Sequence, residues 1–105
     1  MDAPSLKYIN KLSSGDEVFS KKLIHVIKAE FPEEKQLYYK NMGLRKFKVA
    51  AEIVHKIKHK ISVLSFENGH VLATQHEENL KDGNTSLEMK FEEVLNIITK
   101  YLTLI

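Results

Sequence analysis

Apolar residues recur along most of the chain at three- and four-residue spacing, the period of helices that each bury one side. The first stripe, Leu6, Ile9 and Leu12, predicts a short helix over residues 5–12. Ser14 and Glu17 then form an S-x-x-E pattern, which satisfies free backbone N–H groups at a helix start, so a second helix is expected to begin near Gly15. Its stripe is Phe19, Leu23, Ile24, Ile27 and Phe31. Pro32 cannot donate to the preceding turn, so this helix is expected either to kink there or to restart through Leu37 and Tyr38 to Met42, with Gly43 ending it.

The next stripe is the longest: Phe47, Ala50, Ala51, Val54, Ile57, Ile61 and Leu64 fall on one side of a central helix. Residues 61–66 are rich in β-branched and aromatic side chains, but they alternate poorly and have no visible partner strand, so they too are expected to be helical. Glu67, Asn68 and Gly69 break the pattern, and residues 70–80 predict a weaker helix on Val71, Leu72, Ala73 and Leu80, closed by Lys81, Asp82 and Gly83. Thr85 and Glu88 repeat the capping pattern ahead of the cleanest stripe, Leu87, Phe91, Val94, Leu95, Ile98, Tyr101, Leu102 and Ile105. Stripes joined by short connections must bury against one another. The expected fold is therefore all-α, an antiparallel up-down four-helix bundle with a short extra N-terminal helix, forming a single domain over residues 1–105.

Composition narrows the setting. With 105 residues, 43% of them hydrophobic, the chain can bury one core, and four Gly and two Pro signal few turns. Cys is absent, which removes disulfides and thiolate metal sites and fits a reducing compartment, so a cytoplasmic location is expected. No basic stretch leads into an apolar run at the N-terminus, and no eighteen apolar residues occur together, so neither secretion nor membrane spanning is expected. The net charge of +2 hides an uneven distribution. Residues 35–60 hold eight Lys or Arg against Glu52 alone, whereas residues 67–93 hold seven acidic residues against Lys81 and Lys90, so one face is expected to be basic.

The candidate chemistry lies on the central helix. His55, Lys58, His59 and Ser62 stand at i, i+3, i+4 and i+7 and share one face, opposite the apolar stripe of Val54, Ile57, Ile61 and Leu64. The His55 imidazole is therefore expected to face outward from a rigid helix. An unprotonated imidazole nitrogen is a nucleophile for phosphorus, and an ordinary His is mostly neutral near pH 7. A phosphoryl group placed there would be an anion that Lys58, one turn along, can hold by a charge-assisted hydrogen bond.

The segment AAEIVHKIKHKISVLSF resembles the signature helix of the histidine-containing phosphotransfer (HPt) family, in which a His is followed three residues later by Lys and then usually Gly. The resemblance extends from YINKLSSGDEVFSKKLIHVIKAEFPEEKQLYYKNM through HEENLKDG to the C-terminus. It implies that His55 accepts the phosphoryl group and Lys58 supports it. His59 departs from the family by standing where Gly is usual, which crowds the face and leaves His59 either to contribute a hydrogen bond to the phosphoryl group or to compete as acceptor, and Ser65 occupies a second position the family often fills with Gly. Glu77 falls about where the family has a polar residue near the active His. It either orients Lys58 or His55 or is a plain surface carboxylate.

The resemblance further implies a relay in a two-component phosphorelay: the domain takes a phosphoryl group from a receiver-domain aspartate and passes it to the aspartate of another receiver. Such a domain is a carrier and not an enzyme, with kinase activity in a partner hybrid histidine kinase. It needs no cofactor of its own, since Mg²⁺ belongs to the receiver. Monomeric behaviour is expected. The apolar contributors to the receiver-docking surface are sought among Leu44, Val54 and Phe66. Competing readings are a docking module that binds receivers without being phosphorylated and a nucleic-acid-binding bundle using Arg45, Lys46, Lys48, Lys56, Lys58 and Lys60. Sparse aromatic interleaving places the last below phosphotransfer, so no nucleic acid is expected as partner. His55 and His59 also have i, i+4 chelating spacing, but HKIKH lacks the Glu of H-E-x-x-H and no third ligand is evident, so no metal site is expected.

Overall fold

The computed structural model describes residues 2–105, which form five helices and no strand. They are α1 (Lys7–Ser13), α2 (Glu17–Gly43), α3 (Phe47–Val63), α4 (Glu67–Lys81) and α5 (Glu88–Leu104). Neighbours in sequence pack together, α2 on α3, α3 on α4 and α4 on α5, while α5 also meets α2 and α1 leans on α2. This arrangement is compatible with a bundle. At 1.5 Å per residue the 27 residues of α2 span about 40 Å, close to the longest dimension of the molecule, 43 Å. No helix among the described residues is long and apolar enough to cross a membrane.

The stripes of α3 and α5 are largely core, whereas Leu12, Phe19, Leu37 and Val71, which the pattern placed on the buried sides of the other helices, are exposed. Val54, Ile57, Ile61 and Leu64 of the central stripe are fully buried, and so are Phe31, Tyr38, Leu80, Phe91, Leu95 and Ile98 or very nearly so. Helix α2 continues through Pro32 without interruption, so the chain does not restart there.

Both capping boxes are corrected. Asp16, not Ser14, caps α2, its carboxylate accepting the Phe19 N–H at 3.1 Å. Ser14 instead ends α1 in the left-handed region, at φ 50°. The two roles make opposite demands, which a pair of substitutions separates. Asp16→Ala is expected to lower stability by about 1 kcal/mol through loss of the cap, whereas Ser14→Gly is expected to raise it by about 0.5–1 kcal/mol by relieving the left-handed backbone. Urea unfolding of both variants checks this, and a loss with Ser14→Gly would restore the capping-box reading. Thr85 likewise does not cap α5 through its side chain. The helix starts at Glu88, three positions after Thr85, and the preceding turn is held by the Asn84 side chain accepting the Ser86 N–H at 2.9 Å.

The chain between α3 and α4 also differs from expectation. Helix α3 ends at Val63, and Leu64, Ser65 and Phe66 make the turn, with Ser65 in the left-handed region at φ 57°. The N–H of Phe66 bonds Ile61 and that of Ser65 bonds Ser62, a pairing that satisfies the last carbonyls of α3. Glu67, Asn68 and Gly69 are not a break but the first turn of α4. Gly69 is buried there because the Phe66 ring folds over it, and a Cβ at this position would lie 2.7 Å from that ring. Gly69→Ala, which favours a helix in isolation, is therefore expected to destabilise by about 1 kcal/mol through overpacking, visible as a lower thermal midpoint.

The N-terminal segment covers this turn. Ser5 N–H bonds the Leu64 carbonyl at 2.7 Å, Tyr8 N–H bonds the Ser65 hydroxyl at 3.1 Å, and the Asp2 carboxylate accepts the Asn68 N–H at 2.7 Å. Asp2 thus supplies the N-terminal cap that no side chain of α4 provides.

Candidate functional site

Helix α3 carries its apolar stripe into the core, so the opposite side, with His55 and His59, is exposed. Helix α4 packs beside it and brings Glu77 to the same place. Glu77 is only 7% exposed. Its carboxylate receives His55 Nδ1 at 3.1 Å and Lys58 Nζ at 3.0 Å, and Lys81 Nζ stands 3.8 Å away. Burial alone would raise the Glu77 pKa, but the hydrogen bonds and charges of Lys58 and His55 outweigh it and hold the carboxyl below its ordinary value. Glu77 is therefore ionised near neutral pH and can only accept hydrogen bonds.

That fixes the imidazole. Because the partner of Nδ1 accepts, Nδ1 carries the proton, and in the neutral ring Nε2 is left with its lone pair facing away from the helix pair. His59 Nε2 lies 3.2 Å from this nitrogen, with the two rings nearly perpendicular. With His55 neutral, His59 Nε2–H is the donor of this contact, giving a chain of carboxylate, imidazole and imidazole along the α3 surface. A shallow groove of about 580 Å³ lies alongside, walled by Lys48, Lys56 and Lys81 with Glu52, Ala51, His55 and Glu77. Its rim is predominantly basic.

The structure thus joins His55, Lys58, His59 and Glu77. Ser62 stands apart: it lies with Ser5, Tyr8 and Ser65 beside the N-terminal segment. Ser65, with its left-handed backbone, occupies a position that favours Gly for conformational reasons. Among the apolar residues considered for a docking surface, Val54 and Phe66 are in the core and cannot face a partner, while Leu44 is exposed at the end of α2. The basic stretch is partly neutralised within the molecule, since Lys58 pairs with Glu77 and Lys60 is clamped between Glu30 at 2.9 Å and Glu34 at 3.0 Å.

Two histidine contacts escaped the sequence. One is the 3.2 Å approach of the two imidazoles, which i, i+4 spacing permits but does not require. The other lies in the core, where the Tyr38 hydroxyl meets His76 Nε2 at 2.7 Å against the Phe91 ring. Burial pushes the Tyr38 hydroxyl well above its ordinary pKa, so it stays protonated. No group of three or more His, Cys, Asp or Glu among the described residues is placed to surround a metal ion. No protein-family model, curated protein or solved structure matches the chain.

Proposed function

We propose that the chain is a histidine phosphotransfer module of the HPt type, in which His55 carries the phosphoryl group between receiver domains. The observation that carries this reading is the buried Glu77 carboxylate behind an exposed imidazole: with Nδ1–H held at 3.1 Å, Nε2 is presented outward as the nucleophile. In the transfer, the His55 Nε2 lone pair forms the N–P bond while the acyl O–P bond of an aspartyl phosphate breaks, its electron pair leaving with the aspartate carboxylate. The reverse step, onto a second aspartate, returns His55 to its starting form. Lys58, one turn from the imidazole, can turn its ammonium from Glu77 toward the phosphoryl oxygens. His59 must rotate off Nε2 for the attack, and its N–H then becomes available to the same oxygens. The basic groove edged by Lys48, Lys56 and Lys81 suits the acidic pocket of a receiver.

In this reading the protein is a monomeric cytoplasmic carrier without catalysis of its own. Its four long helices run alternately up and down, an order supported by Lys60 facing Glu30 and Glu34, Tyr38 bonding His76, and Lys28 bonding the carbonyl of Ile105. A second reading, a receiver-docking module that is never phosphorylated, is favoured by one observation, the His59 ring bonded to the nitrogen that would react.

Incubation with a phosphorylated receiver separates the two. Under phosphotransfer, acid-labile and base-stable label appears on the wild type, His55→Gln abolishes it and His59→Gln retains it. Receiver binding that persists in His55→Ala, with no label on the wild type from a receiver or a small phosphodonor, would establish the docking module instead.

A further inference from the structure

The same two imidazoles support a reading independent of phosphotransfer. His55 Nε2 and His59 Nε2 converge to 3.2 Å on the exposed side of α3, one turn apart on a helix whose other side is locked in the core. An ion placed about 2.1 Å from each nitrogen, the ordinary Zn–imidazole distance, would see them at an angle of about 100°, near that of a tetrahedral site. To reach it, His59 must move its ring proton from Nε2 to Nδ1 and turn, so that two lone pairs converge on the ion where one N–H now faces one lone pair. His55 keeps its tautomer, because Glu77 already holds its Nδ1–H, and its Nε2 lone pair is open to the ion once the His59 N–H withdraws. A buried carboxylate behind a ligating imidazole is the usual support of a metal-bound His, fixing its tautomer and raising its basicity.

We propose that His55 and His59, supported by Glu77, form a two-imidazole site for a borderline divalent transition-metal ion such as Zn²⁺. Nitrogen donors select such an ion over Mg²⁺ or Ca²⁺, which prefer oxygen. With only two protein ligands the remaining positions belong to water, so the ion is exchangeable and not a structural staple. Its seat is the Nε2 that would otherwise react, so an ion bound there excludes any other use of that nitrogen.

The test is isothermal titration of the full chain with ZnCl₂ near pH 7.5. The expected result is one Zn²⁺ per chain, with His55→Gln and His59→Gln each weakening binding at least tenfold and Glu77→Gln weakening it about tenfold. His25→Gln and His70→Gln, which change histidines outside the cluster, should leave it unaltered. Far-UV circular dichroism verifies that each variant is folded. Absence of binding at millimolar Zn²⁺, binding that survives His59→Gln, or affinity unmoved in folded Glu77→Gln would each overturn the proposal. None of these outcomes depends on whether His55 accepts phosphate.

Discussion

Between pH 6.5 and about 4 the protein is expected to lose stability, on the order of 3 kcal/mol over the whole interval, because of His76. The imidazole is fully buried, and its Nδ1 has no hydrogen-bond partner among the described residues. A proton added there would create a buried charge with nothing to solvate it, so burial lowers the His76 pKa from 6.5 to about 4. The unfolded chain takes up this proton near pH 6.5 and the folded chain does not, so acid favours unfolding throughout the interval. Glu77 acts in the same direction in a lower window: its folded carboxyl is depressed, and the stability it adds is complete only above its ordinary value of 4.5 and fades as pH falls below it. The loss above pH 4.5 therefore belongs mainly to His76. Urea unfolding of the wild type and His76→Phe at several pH values reads it directly. The variant should start lower at pH 7, by about 1–3 kcal/mol, because the Tyr38 hydroxyl loses its buried partner. Its stability should then stay nearly flat down to pH 5. An unchanged slope in the variant would place the acid sensitivity elsewhere.

Phe91→Ala is expected to cost about 3–5 kcal/mol, a large share of the roughly 5–15 kcal/mol that holds a small domain folded. The Phe91 ring is fully buried, with its centroid 5.1 Å from that of Tyr38 and 5.0 Å from that of His76. Removing it opens a cavity where α5 closes over the buried pair. Met89→Ala, two positions earlier and 78% exposed, should change stability by no more than about 0.5 kcal/mol. Equal losses for the two would contradict the core described here. The cavity has a second consequence, because partial hydration should let the His76 pKa climb back toward 6.5, readable from its ring resonances in an NMR titration. Phe91→Ala should therefore lose less further stability on acidification than the wild type.

Much of this molecule was legible along the chain. The stripe on α3 sent Val54, Ile57, Ile61 and Leu64 inward and left His55 exposed, because a helix that buries one side must present the other. The stripe of α5 likewise placed Phe91, Leu95 and Ile98 in the core. The helix ends were less legible. Ser14 and Thr85 match a capping pattern, yet Asp16 and a turn held by Asn84 do that work, since several nearby polar residues can satisfy the same N–H groups and the neighbouring backbone chooses among them. Gly69 reads as a breaker until Phe66 is seen folded over it.

Although the pattern misplaces Leu12, Phe19 and Val71 on buried sides, one can read along the chain that it is helical, which sides of α3 and α5 are buried, and that His55 and His59 lie on the exposed side of α3. These follow from the helical period, a local property. It took the packing of the helices to bury Glu77 behind His55 and select its Nε2, to bind Lys60 between two glutamates of α2, to set Asp2 as the cap of α4, and to join Tyr38 and His76 by a buried hydrogen bond. Each of these joins residues 22 or more positions apart. Whether such a polar group is a solvated surface charge or a paired buried one depends on which helix faces which, and the spacing of residues within one helix does not contain that information.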